Sequence, residues 1–487
     1  MSVARRQPPA EASRRGWCPS LARPMPTGDG LLARVHPPLG ILSATQLRAV
    51  AEGARRYGNG HIDITARGNL QIRGVSEETA CPLAAHLTAA GLGDVRADGG
   101  PLRLTLTSPL ADCDSDALID ATAMAQAIEA VGLTIHGLPA KTLVAIESGG
   151  RWGLGAMEPD LFVRPIGRNR VVIGLATDMG PLWCDDIAAD DAPAAMDRAL
   201  TAFAATGRRR MHDLDDAERE RVAGAARGAA LTPLPAAHRE EHGWDEPIDA
   251  PAPGTIPLTS DTVAIVVEAP FGRSTAEGLD AAAGLLPAET MPHHSQPNSR
   301  HSGAAQPNPT STTEHEARCG ISDGLPAPGE AWNDEEFGGC NGIELTASRG
   351  LVLVLPRAMA TAARDALAAA GFITDPADPR RAIAACPGAP ACASGTTPVP
   401  EHATRLAQAF APFAARGLTA HVSGCAKGCA HPRPASLTLV GEGGHYRIVL
   451  DGTPGDGGQA PCLTFEAALD RVRRAVPARS LAGAFPS

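Results

Sequence analysis

What most limits the folds open to this chain is that it repeats itself. After a strand-like LLARV, the segment Gly40-Ile-Leu-Ser43-Ala-Thr-Gln46 has capping-box form, with Ser at the N-cap and Gln three residues on. Leu47, Val50, Ala51 and Ala54 follow at helical spacing. An alternating strand, HIDIT, then runs into Thr65-Ala66-Arg67-Gly68. The second half keeps this order. Strand-like TVAIVVE precedes a capping box over Gly272-Arg-Ser274-Thr-Ala-Glu277, the stripe Leu279, Ala282, Ala283 and Leu286 repeats the helix, and GIELT leads into Thr346-Ala347-Ser348-Arg349-Gly350. Further echoes are LTAAGL with LAAAGF, Arg103 through Pro109 with Arg381 through Pro387, Gly132 through His136 with Gly417 through His421, Lys141 with Lys427, and AAMDR with AALDR. Matches in one unbroken order predict a duplicated βα module of roughly 200 residues, longer than a solenoid repeat.

The copies differ by one interruption. Ser43 and Thr65 are 22 positions apart, whereas Ser274 and Thr346 are 72 apart. The excess falls on 288–337, rich in Pro, Ser, Thr, Gly and Asn and without apolar period, which reads as a disordered surface insertion. Its histidines, His293, His294, His301 and His315, read as solvated rather than metal-binding. The expected organisation is a disordered segment 1–16, half-modules at 17–90 and 259–375, α/β domains at 91–204 and 376–487, and a connector 205–258 that contains a charged helix, DDAERERVAGAAR.

A chain of 487 residues with 44% hydrophobic content can build several cores. Its net charge of −11 argues against nucleic acid or an anionic membrane as partner. The N-terminus lacks an apolar stretch of signal-peptide type, and no apolar run reaches membrane-spanning length, so the expectation is a soluble cytoplasmic protein. Eleven cysteines without export signals favour thiols and a metal or cluster site over a disulfide framework.

Four of those cysteines form a constellation. Cys386 and Cys392 are C-x5-C, and Cys425 and Cys429 are C-x3-C in SGCAKGCAHP. Four thiolates can hold zinc or an iron–sulfur cluster. The wide C-x5-C loop suits ligands to different irons of a [4Fe–4S] cubane better than a zinc knuckle, and the small residues around it let backbone N–H groups reach sulfur. The other seven, at 18, 81, 113, 184, 319, 340 and 462, read as free thiols.

This quartet behind a duplicated module resembles the sirohaem-dependent sulfite and nitrite reductases. Thr65-Ala-Arg67-Gly-Asn69-Leu-Gln71 is similar to their Thr-x-Arg-x-x-x-Gln signature, and Lys141 lies in a similar Leu-Pro-x-Lys segment. Two positions depart from the reductases: Leu104 stands where they carry Asn, and Leu143 where they carry a second Lys. A reductase needs several cations around a small oxyanion, and Leu143 removes one. Trp17-Cys18-Pro19, TARGNLQIRGV, LPAK, APFGR and SGCAKGCAHP together resemble a different branch, the precorrin-3B synthases.

That resemblance implies an α/β (α+β) fold of duplicated nitrite/sulfite reductase-like architecture: two ferredoxin-like halves and two pseudo-two-fold α/β domains. It implies an oxidoreductase of aerobic cobalamin biosynthesis, a monooxygenase that hydroxylates precorrin-3A at C20 with O2 and closes a γ-lactone. Electrons would come from NADH through a separate reductase or ferredoxin, because no G-x-G-x-x-G follows a strand here. The implied cofactor is a [4Fe–4S] cluster on Cys386, Cys392, Cys425 and Cys429, with room for an additional non-haem iron; sirohaem belongs to the alternative, an assimilatory nitrite or sulfite reductase. The macrocycle carries eight carboxylates, so a net-acidic chain must build a cationic cleft. The residues implied for it are Arg67, Asn69, Gln71, Arg103, Lys141, Arg349 and Lys427. Arg73 and Arg381 are evenly balanced between site and surface. His136 and His421, at matching places in the repeat, read as structural, and no general base is assigned.

Overall fold

The computed structural model describes residues 18–155, 157–227, 248–286, 342–456, 462–478, 480–483 and 485. The expected N-terminal segment, Trp17 and the insertion 288–337 lie outside them.

Four five-stranded sheets are built in two matching pairs. The first runs β1 (Met25–Thr27), β2 (Gly30–Val35), β5 (Leu70–Val75), β4 (His61–Ile64) and β13 (Arg273–Thr275), all antiparallel. The third repeats it with β11 (Gly254–Pro257), β12 (Thr262–Glu268), β15 (Gly350–Pro356), β14 (Ile343–Leu345) and β3 (Ile41–Leu42). The second and fourth sheets each place three parallel strands before two antiparallel ones. These are β6 (Thr105–Thr107), β7 (Val144–Ile146), β8 (Leu161–Gly167), β9 (Arg170–Thr177) and β10 (Gly180–Ala188), then β16 (Ile383–Ala385), β17 (Ala420–Ser423), β18 (Ala435–Glu442), β19 (His445–Gly452) and β20 (Cys462–Leu463).

Helices cover one face of each sheet. The first sheet carries α1 (Ala44–Tyr57) and α2 (Glu77–Ala89); the second carries α3 (Ala121–Thr134), α4 (Ala192–Thr206) and α5 (Asp216–Arg227). The third carries α6 (Ala276–Ala283) and α7 (Ala360–Ala369), and the fourth α8 (Val399–Ala414) and α9 (Phe465–Ala478). Helix α5, the charged part of the connector, buries Val222, Ala223 and Ala226 in the core of the second sheet. Helix α1 starts on the expected capping box, Ser43 accepting from the Gln46 N–H and Gln46 reaching back to the Ser43 N–H, worth about 1 kcal/mol.

The two halves exchange a strand. Ile41–Leu42, from the first half, pairs with β14; Arg273–Thr275, from the second, pairs with β4. One apolar core consequently contains Leu47, Val50, Ile62, Ile72 and Leu83 together with Ile265, Leu279, Leu351, Leu353 and Phe372. Neither sheet could close its edge without the other half.

The register of the duplication differs in places from the sequence reading. Helix α6 is capped by Thr275, which accepts from the Gly278 N–H, and Ser274 lies in β13 instead of capping with Glu277. The turns that precede the exchanged strands fix the equivalence: Leu39 and Phe271 have φ of 50° and 58°, and Gly40 and Gly272 follow at 79° and 73°. Ser43 therefore matches Thr275. The Gly132 and Gly417 echo is a coincidence of composition, since Gly132 is inside α3 and Gly417 follows α8. His136 is an exposed loop residue beside Asp98, whereas His421 is a fully buried member of β17, opposite Ala384, so the two do not correspond. Lys141 precedes β7 and Lys427 follows β17, which separates that pair as well. The Arg103 and Arg381 match holds, each standing two residues before β6 or β16. Cys81 and Cys113 are each disulfide-bonded, which corrects the expectation of free thiols for these two. Cys18 and Cys462 are outside any disulfide, and Cys319 and Cys340 fall outside the described residues.

Candidate functional site

The first and third sheets have equivalent backbones and opposite chemistry on their outer faces. In the third sheet Val352, Ala264 and Val266 make that face apolar, and Leu110, Cys113 and Trp152 of the first α/β domain pack on it. In the first sheet the same face carries Arg34, Asp63, Gln71 and Arg73. The cysteine-bearing loop of the second α/β domain docks there. Arg73 donates to Ala391 O at 2.5 Å and is held by Asp29 and Asp63; the Gly28 N–H also donates to Ala391 O, at 3.1 Å. A Cβ on Gly28 would stand 2.2 Å from Pro390 O, so only glycine permits this approach. Arg73 is thus a structural tie. Arg381 is one also, pairing with Glu268 at 3.0 Å.

The four cysteines lie on two loops that close on each other. Cys386 follows β16 and Cys392 ends the loop after it; Cys425 and Cys429 follow β17. Gly388, Gly395, Gly424 and Gly441 bring these backbones together: a Cβ on Gly395 would lie 2.8 Å from the Gly388 carbonyl carbon, and one on Gly441 2.8 Å from Gly424 O. The Gly424 N–H donates to Cys386 Sγ at 3.1 Å. Burial raises the Cys386 thiol, and the neighbouring Cys392 and Cys425 add to the rise; burial with Cys425 and Cys392 does the same to Cys429. The thiols therefore feel one another's charge. Among the described residues, no three or more His, Cys, Asp or Glu side chains are gathered closely enough to hold a single metal ion. Four thiols on two facing loops, with the Gly424 N–H already on the Cys386 sulfur, are a donor set of the chemical kind that an iron–sulfur cluster takes. In the first α/β domain Ser108 stands where Cys386 does and donates to Glu147 at 2.6 Å. Lys427, exposed, reaches Ser394 in the cysteine loop at 3.3 Å, and Arg349 donates to Ala430 O at 3.3 Å beside Cys429. His421 and His431 meet edge to face at 5.8 Å just behind the loop.

The remaining site residues gather at the other end of the polar face. Arg67 is in the Thr65–Gly68 turn rather than on the strand, and it donates to the Lys141 carbonyl at 2.8 Å, which fixes the LPAK segment; the Lys141 side chain is exposed. Gln71 and Arg73 alternate along β5 and Asn69 immediately precedes it, so the stretch from Asn69 to Arg73 spans about 13 Å. Gln71, with its amide oxygen turned toward Arg34, accepts from Arg34 Nε at 3.1 Å and Nη2 at 2.6 Å. Asn69 is buried and its Oδ1 has no partner.

Arg103 is 7% exposed and donates from Nη1 to Gly68 O at 2.8 Å, while its Nη2 has no partner. Gly40 and Gly68 make the slot for it, since Cβ atoms there would lie 2.8 Å from Nη1 and 3.1 Å from Nη2. Burial brings the Arg103 guanidinium down to about 10, against the pull of Glu129, whose oxygens are taken by the Leu104 and Thr105 N–H groups and the Thr105 hydroxyl. Arg67 is likewise lowered by burial and then by Arg210. Arg34, His36 and Arg210 complete this cluster and were not singled out from sequence. Only the Val35-His36-Pro37 strand end, equivalent to the Glu268 end of β12, could have signalled His36. Asp160, fully buried, accepts from Arg210 Nε and the Leu143 N–H and orders the rim. Leu143 packs with Leu106, Ala145 and Leu154 against Ala347, an apolar wall, whereas Leu104 belongs to the core beneath the second sheet. Among the described residues no helix is long and apolar enough to cross a membrane.

Residues 23–90 match the nitrite/sulfite reductase ferredoxin-like half domain. A precorrin-3B synthase from a Sinorhizobium species is 32% identical over 454 residues, covering 90% of this chain and 83% of that protein. A ferredoxin–nitrite reductase of Synechococcus elongatus is 35% identical over 158 residues, which is 31% of this chain and 30% of the reductase. The structure of the Mycobacterium tuberculosis NirA protein superposes with a TM-score of 0.59 over 92% of this chain and 80% of that one at 19% identity, a likeness of fold. The duplicated sheets, the cysteine loops and the near full-length likeness together place this chain in the precorrin-3B synthase family, an oxidoreductase family built on the nitrite/sulfite reductase fold.

Proposed function

We propose that this protein is a precorrin-3B synthase that hydroxylates precorrin-3A at C20. One atom of O2 becomes the new hydroxyl, the other leaves as water, and a ring A acetate closes a γ-lactone. The two electrons come one at a time from a separate reductase or ferredoxin drawing on NADH. The observation that carries the reading is a cluster of arginines around unpartnered polar atoms: Arg103 Nη2 and Asn69 Oδ1 are buried without partners, beside Arg34, Arg67 and the Asp160-paired Arg210, in a chain of net charge −11. Buried polar groups are normally satisfied, and guanidinium forks match carboxylates. A polycarboxylate ring with pyrrolic N–H groups supplies a carboxylate acceptor for Arg103 Nη2 and an N–H donor for Asn69 Oδ1.

In this reading Arg67, Arg103 and Lys141 hold ring carboxylates, Asn69 and Gln71 set the ring's height over the sheet, and Arg349 and Lys427 approach it from the cysteine side. Cys386, Cys392, Cys425 and Cys429 would hold a [4Fe–4S] cluster, which when bound supplies single electrons. Leu143 gives the ring an apolar wall where an oxyanion-reducing site would need charge. The match to nitrite reductase covers less than a third of either chain, so the reductase alternative is not favoured.

The test is turnover of precorrin-3A by iron-loaded protein under 18O2 with a chemical or ferredoxin reductant. The reading predicts a product that gains one labelled oxygen atom. Loss of nitrite or sulfite with no change in precorrin-3A would contradict it.

A further inference from the structure

The duplication offers an internal control on which half binds. Arg103 and Arg381 are equivalent, each two residues ahead of the first strand of its parallel sheet. His36 and Glu268 are equivalent too, because each lies two residues before the Pro38-Leu39-Gly40 or Pro270-Phe271-Gly272 turn, whose positive φ values match. In the second half these positions form a closed ion pair, Arg381 Nε to Glu268 Oε2 at 3.0 Å and Nη2 to Oε1 at 3.2 Å. Arg349 fills the slot over Gly272, where a Cβ would lie 2.7 Å from its Cδ. In the first half the corresponding slot, between Gly40 and Gly68, receives Arg103 itself. There the acid is replaced by His36, whose Nδ1 is buried without a partner, as is Arg103 Nη2.

We propose that His36 is the residue that leaves Arg103 open to an anionic ligand, so that the chain takes one polycarboxylate ring, at the first half only, while Glu268 closes the equivalent place in the second. The inference rests on the reading of the Arg67–Arg103 cleft as the carboxylate site and adds to it the reason for the asymmetry. His36 acts through Arg103 as a positioning residue and need not touch the ligand. Burial, with Arg34 and Arg103 alongside, keeps its ring neutral, so it neither pairs with the guanidinium nor adds a charge of its own.

The experiment measures binding of uroporphyrin I, a planar octacarboxylate, to the full chain by fluorescence titration. His36→Glu installs the pair already present in the second half, so the variant should fold, which its thermal melt checks. Binding should weaken roughly tenfold to a hundredfold, the value of a hydrogen-bonded charge withdrawn from the ligand. His36→Gln, uncharged, should bind within about threefold of wild type, a rescue that a purely structural role for the side chain would not give. Stoichiometry should be one ring per chain. Wild-type affinity in folded His36→Glu, with Arg103→Met weakened, would overturn the role of His36 and leave the cleft standing. Unchanged affinity in both Arg103→Met and Arg67→Ala would overturn the cleft itself. Two rings per chain would overturn the asymmetry.

Discussion

Arg73→Met tests how the cysteine loop is attached to the rest of the molecule. The Arg73 side chain is 3% exposed. It makes a bidentate pair with Asp29 at 3.0 and 2.8 Å, bonds Asp63 at 3.0 Å, and reaches Ala391 O in the cysteine loop. Methionine removes all four bonds. Asp63 keeps Arg273 at 2.8 Å, but Asp29 is left with the Thr27 hydroxyl and the Asn59 amide. Breaking a buried pair by removing one partner costs about 3–5 kcal/mol. Asp29 and Asp63 retain some water, at 13% and 15% exposure, which favours the lower end, about 3 kcal/mol. Urea unfolding of wild type and variant, followed by circular dichroism, measures the loss; limited proteolysis should show the 387–395 loop cut sooner. Arg73→Met with Asp29→Asn should recover part of the loss, because the orphaned charge goes too. The pH dependence has a definite sign. Burial raises the Asp29 carboxyl, but its hydrogen bonds and charge pairing with Arg73 outweigh this and hold it below its ordinary value. The pair's contribution is thus present at neutral pH and lost as the pH falls through that depressed value, so the gap between wild type and variant should close in acid. A stability change under about 1 kcal/mol at neutral pH, with the loop as protected as before, would refute the reasoning.

Three further outcomes are expected. Cys429→Ser should lose iron and acid-labile sulfide together, read by iron and sulfide assay after anaerobic preparation; a retained full complement would remove Cys429 from the ligand set. Arg67→Ala should weaken tetrapyrrole affinity about tenfold or more while leaving cluster content unchanged, because Arg67 bonds the Lys141 carbonyl, on the first α/β domain and not on the cysteine loops. Burial lifts the Glu344 carboxyl to about 8, against its hydrogen bond from the Leu110 N–H. Between its ordinary 4.5 and about 8 the unfolded chain releases this proton and the folded chain keeps it. Wild type should therefore lose about 1.4 kcal/mol per pH unit relative to Glu344→Gln across that window, and parallel urea midpoints from pH 5 to 8 would contradict it.

The sequence carried the duplication because both halves keep the same strands, turns and caps, and those are written locally. It placed the cap at Ser274 instead of Thr275 because two hydroxyl residues stand side by side before α6 and only backbone geometry chooses between them. The exchanged strands were not legible: Ile41–Leu42 and Arg273–Thr275 pair across halves through backbone groups, and side-chain pattern says nothing about which of two like edges a strand joins. The cysteine set was readable from spacing and small neighbours, while its seat was not, because Gly28 and Arg73 meet Ala391 from more than three hundred residues away. On the cationic side, Arg67 and Arg103 stood out by motif and repeat. Arg34, His36 and Arg210 did not, since an Arg or His near a strand end has the same local sequence whether it faces water, an acid or other arginines. Arg73 and Arg381, equally basic in sequence, turn out to be tied to acids.

Iron and acid-labile sulfide, counted per chain in protein prepared without oxygen and reconstituted, test the account most directly. It predicts iron and sulfide in equal amounts, about four of each, with absorbance near 400 nm that bleaches on reduction. Protein that takes up zinc or iron but no sulfide, with all four cysteines intact, would contradict it.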